Sequence, residues 1–142
     1  MLHANDVMIK LQAVIEKAEC NYSAYIEELD GVVATGSSID ELKKNLIEAI
    51  GIYADSCVEM GFPVSLDLVK GSYEITFKTD IESFLNLYCT VFSKSGLEKL
   101  TGVNQKQLWH YANGKTTPRA EQVQRIESAL HRLGEELISL QF

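Results

Sequence analysis

Cysteine is scarce in this 142-residue chain: Cys20, Cys57 and Cys89 are three in number, widely separated and never spaced as a CxxC pair. An odd, scattered set excludes a disulfide framework and argues against a zinc site, leaving reduced structural thiols. Proline occurs twice, and both copies mark breaks, Pro63 after a helix and Pro118 in a loop. No apolar run approaches transmembrane length, and the opening Met1-Leu2-His3-Ala4-Asn5-Asp6 lacks the basic patch and apolar stretch of a secretory leader. The expectation is a cytoplasmic protein with no membrane partner. His3, His110 and His131 lie far apart, no glycine-rich phosphate loop follows a strand, and no spacing of acids singles out a set converging on a divalent metal. The Ser93-Lys94-Ser95-Gly96 run sits at a helix start, where capping accounts for it. No catalytic residue, metal or cofactor is expected.

What is present is core material. Hydrophobic residues make up 46% and charged residues 23%, enough apolar surface for a packed fold and too little charge for a disordered chain. Net charge is −7, but residues 1–80 carry 6 basic and 14 acidic side chains, whereas residues 81–142 carry 7 basic and 6 acidic. Residues 93–119 hold Lys94, Lys99, Lys106, Lys115 and Arg119 against the single anion Glu98. An acidic half and a locally basic half face different partners.

Hydrophobic period divides the chain in the same place. Ile9, Leu11, Ala13 and Ile15 alternate with mostly polar neighbours, which predicts a half-buried strand. Tyr22 to Glu27 reads as a second, antiparallel strand, Asp30-Gly31 as a turn, and Val32 to Thr35 as a third strand closing a meander. At Ser38-Ile39-Asp40-Glu41 a capping box opens a helix whose stripe is Leu42, Leu46, Ile50, Tyr53, Cys57 and Met60, ending at Gly61 and Pro63. Val64, Leu66 and Leu68 alternate, then Tyr73, Ile75 and Phe77, which predicts one more strand and an extra edge strand. From Asp80 onward the pattern is helical. It predicts a helix carrying Ile81, Phe84, Leu85, Tyr88 and Phe92, a short one ending at Thr101-Gly102, a third capped by Asn104, and a fourth from Arg119 to Leu133 that Gly134 interrupts. The fold class is therefore α+β: a βββαβ domain over residues 1–79 and an all-α domain over residues 80–142.

Within the helical half, Leu97-Glu98-Lys99-Leu100-Thr101-Gly102-Val103-Asn104-Gln105-Lys106-Gln107-Leu108-Trp109-His110-Tyr111-Ala112-Asn113-Gly114-Lys115 reads as two short helices joined by a glycine turn. Val103, Leu108 and Tyr111 fall on the inner face, leaving Asn104, Gln105, Lys106, Gln107, Trp109 and His110 outward or at the rim. Amide and cationic side chains are the types that pair with base edges, and Lys94, Lys115 and Arg119 can neutralise phosphates. The stretch resembles the helix-turn-helix of phage-repressor-like (Xre/Cro) domains, on the strength of Leu-x-x-Leu-Thr-Gly-Val, the polar start of the second helix, Asn113-Gly114-Lys115 and Pro118. The resemblance implies that Gln105, Lys106 and His110 read bases, that Asn104 and Gln107 support them, and that residues 113–115 touch phosphate. It departs at Glu98, where that family carries a small residue, which predicts looser helix packing or an acid near DNA.

The acidic half carries a second resemblance. Tyr22-Ser23-Ala24, Leu29-Asp30-Gly31, Ala34-Thr35-Gly36 and the Ser38 to Glu41 helix opening resemble the HicB antitoxin family over residues 8–79, with Asp30 and Val32 replacing the proline and cysteine common around that glycine. The resemblance implies a partial ribonuclease-H-like fold, a HicA-like ribonuclease toxin as partner, and repression of a shared operon through double-stranded operator DNA. Opposite fields favour encounter between an acidic domain and a basic RNA-binding toxin, and Tyr22, Tyr25, Glu27, Glu28 and Asp30 are the expected contacts. Symmetric repressors bind paired half-sites, so a homodimer is expected, with the apolar Leu137, Ile138, Leu140 and Phe142 or an open sheet edge as its contact. Two other readings stay open on sequence: a stand-alone repressor whose first domain senses a small ligand, and a residual metal-dependent nuclease.

Overall fold

The computed structural model describes residues 8–142, so the opening Met1 to Asp6, His3 included, lies outside the described residues. The protein is α+β, and it divides into two compact units, one reaching Thr79 and the other running from Asp80 to Phe142.

In the first unit, β1 (Ile9–Lys17), β2 (Tyr22–Ile26) and β3 (Val33–Gly36) form an antiparallel meander, and β4 (Tyr73–Lys78) joins the far edge of β1 in parallel. The order across the sheet is β3-β2-β1-β4. A parallel neighbour needs a crossover, and α1 (Ile39–Met60) with α2 (Leu66–Lys70) supplies it. Strand alternation sends Leu11, Ala13, Ile15, Ala24, Ile26 and Ala34 to one face, where α1 buries Leu42, Leu46, Ile50, Ala54 and Cys57 at helical spacing. Gly36 lets helix and strand come this close: a Cβ there would stand 3.0 Å from the Leu42 backbone nitrogen.

Local chemistry sets the ends of α1. The Ser38 side chain accepts from the Glu41 N–H, and the Glu41 carboxylate accepts from the Ser37 N–H at 3.0 Å and the Ser37 hydroxyl at 2.7 Å. The glutamate thus reaches back one residue further than the usual capping box. The Ser37 backbone N–H foremost, then its hydroxyl and the nearby Lys44 charge, hold the Glu41 carboxyl below its ordinary value against a small opposing effect of burial. A lowered folded pKa contributes stability that is complete above the unfolded value and is lost as pH falls through the folded one. Amide exchange in the first turn of α1 should therefore be faster in Glu41→Gln than in the natural chain at neutral pH. The two should converge as the pH drops below about 4.5.

Three sequence expectations are corrected in these elements. Residues 66–70 are not an edge strand but α2: the Ser65 hydroxyl accepts from the Asp67 N–H, Gly71 closes the turn at φ 77°, and Leu68 alone is buried. Three alternating apolar residues between two such caps fit one helical turn as well as a strand. Met60 does not belong to the buried stripe of α1, for it stands 69% exposed in the last turn, while Ala54 takes a buried place. In the second unit Gly134 does not interrupt the last helix, which runs unbroken to Ile138. One glycine costs a helix about 1 kcal/mol, and good formers on both sides outweigh it.

The second unit comprises α3 (Ile81–Leu87), α4 (Lys94–Thr101), α5 (Gln105–Ala112) and α6 (Ala120–Ile138). Asp80, Ser93 and Asn104 cap the first three through side-chain oxygens that accept from Ser83, Gly96 and Lys106 N–H groups. The core gathers Leu85, Leu97, Val103, Leu108, Tyr111, Ala112 and Ile126. Helix α3 stops at Leu87, earlier than the expected helix reaching Phe92, because the chain turns at Tyr88 with its φ at −108°. β-branched Thr90 and Val91 favour helix less than the residues before them. The turn still stacks Tyr88 and Phe92 on Phe84, with ring centroids 5.3 to 6.3 Å apart.

Candidate functional site

Helix α4 ends at Thr101, whose buried hydroxyl donates to the Leu97 carbonyl and accepts from the Val103 N–H. Gly102, at φ 76°, turns the chain between them, a conformation that favours glycine. Buried Val103 then pins the turn and Asn104 starts α5. Leu108, Tyr111 and Ala112 face inward, so Gln105, Lys106 and Trp109 are exposed while Gln107 and His110 are half-buried beside them. Five polar or aromatic side chains along one short helix form a continuous outward face.

The loop after α5 extends this face. The Lys115 ammonium sits 4.5 Å above the Trp109 ring, which also meets His110 edge-on. Gln107 Nε2 donates to the Thr116 hydroxyl at 3.3 Å, and Asn113 Nδ2 donates to the Trp109 carbonyl at 2.8 Å, so Asn113 finishes the helix rather than reaching outward. Asn104 is likewise engaged, its Oδ1 accepting from the Lys106 N–H. Lys94 opens α4, and Arg119 stands at the start of α6 without a side-chain cap bond.

Two residues gain roles that sequence patterning did not supply. Glu98 is neither a loosener of packing nor a stray acid: its carboxylate accepts from the Gln105 N–H at 3.2 Å, completing with Asn104 the capping of α5. Seven residues separate donor and acceptor, beyond any local capping pattern. Glu98→Ala should lower the stability of the helical unit by about 1 kcal/mol, read as a lower urea midpoint from Trp109 fluorescence. Arg125, on α6, places its guanidinium 3.7 Å from where a Gly102 Cβ would lie, adding a cation beside the α4–α5 turn.

The acidic candidates in the first unit are not brought together. Alternation along β2 parts the two tyrosines: Tyr22 lies half-buried on the side of Ala24 and Ile26, while Tyr25 is 37% exposed on the open face of the sheet. There Tyr25 pairs in register with Val33 on one side and Val14 on the other, an apolar row that sequence patterning did not single out. Glu28 is used internally, both carboxylate oxygens accepting from the Gln12 N–H at 3.0 and 3.1 Å. Glu27 and Asp30 are exposed in the following loop, which buried Leu29 and Val32 anchor. Among the described residues no three His, Cys, Asp or Glu side chains gather as a metal site requires, and no helix is long and apolar enough to cross a membrane.

Comparison with known proteins adds a relationship. A UPF0150 protein of Helicobacter pylori (strain J99 / ATCC 700824) is 36% identical to this chain over 69 residues, a match that takes in 96% of that protein and 47% of this one. This chain belongs to the UPF0150 family. Because the match takes in nearly all of its relative, this UPF0150 chain contains that whole sequence together with about as much again. No protein-family model matches it, and no solved structure does.

Proposed function

We propose that the protein is the antitoxin of a type II toxin–antitoxin pair: its first unit binds and silences a HicA-like ribonuclease, and its second unit represses the shared operon as a helix-turn-helix protein. The observation that carries this reading is that one chain joins UPF0150 kinship, a family associated with toxin–antitoxin modules, to a separate helical unit whose α5 exposes Gln105, Lys106 and Trp109. In this reading α5 lies in the major groove, Gln105 and Lys106 meet base edges, and Lys115, Lys94, Arg119 and Arg125 meet phosphates. The chain itself is non-catalytic. Its acidic unit attracts a basic partner through its field, and Tyr25, with Glu27 and Asp30 nearby in the sequence, is the favoured contact.

The test is co-purification with the protein encoded beside it, followed by ribonuclease assays of that partner alone and in complex, and by binding of the full chain to the DNA upstream of the pair. A stable, silent complex and salt-sensitive DNA binding are expected. Absence of a complex, with DNA binding intact, overturns the antitoxin half, and absence of DNA binding overturns the repressor half.

A further inference from the structure

The apolar stripe of α6 is longer than the core it serves. Ile126 and Ala129 are buried in their own unit and Leu130 packs against it, but the same stripe continues through half-buried Leu133 to Leu137, which is 55% exposed. Burial of the first half explains why the helix forms. It does not explain the continuation, since the last two turns present leucines to water. A solvated helix end would be polar there.

The charges flanking this stripe say what covers it. Arg132 and Glu136 are both exposed, and helical geometry puts them one turn apart on the same flank, two residues either side of Gly134. A two-fold axis perpendicular to a helix pairs each residue with the one equally distant on the other side of the crossing point, and sets like flanks together. Crossing near Leu133 and Gly134 therefore lays Leu137 of each chain on Leu130 of the other and sets Arg132 of each against Glu136 of the other, twice by symmetry. The open space around Gly134, where a Cβ would meet nothing within 4 Å, lets the helices approach at that point. The arrangement complements itself only when antiparallel, because in a parallel pair this flank faces the opposite flank of its neighbour.

We propose that the exposed end of α6 is the docking surface for a second copy of this chain, packed antiparallel across Gly134 with reciprocal Arg132–Glu136 pairs. The surface goes beyond the antitoxin reading, and its test needs neither toxin nor DNA. Sedimentation of the full chain at roughly tens of micromolar should show a dimer. Leu137→Asp, at an exposed position that leaves the helical circular dichroism unchanged, should raise the dimer dissociation constant about a hundredfold or more, because two leucines are lost at once. Arg132→Glu and Glu136→Arg should each raise it about fivefold, and the double swap should restore it, since every pair is then reversed rather than broken. A monomer in the natural chain, a dimer indifferent to Leu137→Asp, or a double swap no better than the single ones would each overturn the proposal.

Discussion

Leu108→Ala should remove about 2–5 kcal/mol from the helical unit while leaving the sheet unit folded. Leu108 is 1% exposed and sits on α5 among Leu85, Leu97, Val103, Tyr111 and Ile126, so its loss leaves a cavity at the centre of that core. A domain of this size has about 3–9 kcal/mol in total, so the substitution removes much or all of it. The sheet unit has a core of its own around Leu42, Leu46 and Ile50, each 0% exposed. Trp109, adjacent in sequence and the only tryptophan, reports the helical unit, and amide exchange in α1 reports the other. The expected result is a urea midpoint that collapses by Trp109 fluorescence with α1 exchange unchanged. In functional terms, DNA binding is lost and capture of the toxin persists. Equal loss of both signals would mean that the two units unfold as one, and would refute the separation of roles.

Much of this architecture was legible because burial and period coincide. β1 and α1 each bury one face, and Leu11, Ala13 and Ile15 or Leu42, Leu46 and Ile50 display the two periods plainly. Where burial is slight, the pattern is ambiguous. Leu66 and Leu68 alternate as a strand would, yet only Leu68 is buried, and the Ser65 and Gly71 caps decide the matter in favour of a helical turn. The same logic governs the outward face of α5. Its exposed residues could be read directly, since they are the complement of Val103, Leu108 and Tyr111. The partners of those residues could not. Glu98 reaching the Gln105 N–H, Lys115 over Trp109 and Arg125 beside Gly102 are tertiary encounters between segments whose spacing follows no local rule. The acidic cluster failed for a related reason: proximity in sequence around Tyr22 to Asp30 is undone by strand alternation, which sends neighbours to opposite faces, and by the Gln12 N–H, which claims Glu28.

That distinction between exposed and engaged side chains sharpens what substitution in α5 should do to DNA binding. Gln105 and Lys106 are exposed, and their backbone N–H groups donate to Glu98 and Asn104, bonds that persist when either side chain is trimmed to a methyl group. Gln105→Ala and Lys106→Ala should therefore preserve the fold and each weaken binding at the operator by about 1–3 kcal/mol, roughly five- to 150-fold. The two should differ in kind. Gln105 carries no charge, so its loss should leave the slope of log affinity against log salt unchanged and relax preference at one base position. Should Lys106 meet a phosphate instead of a base, its loss would lower that slope by about one and weaken all sequences alike. Asn113→Ala is the contrast, for its side chain closes α5 on the Trp109 carbonyl and its effect should appear in stability before it appears in affinity. Trp109, 46% exposed beneath the Lys115 ammonium, supplies the signal: operator binding should perturb its fluorescence in the natural chain and in both variants once saturated. Undiminished operator affinity in both Gln105→Ala and Lys106→Ala would remove α5 from the recognition role.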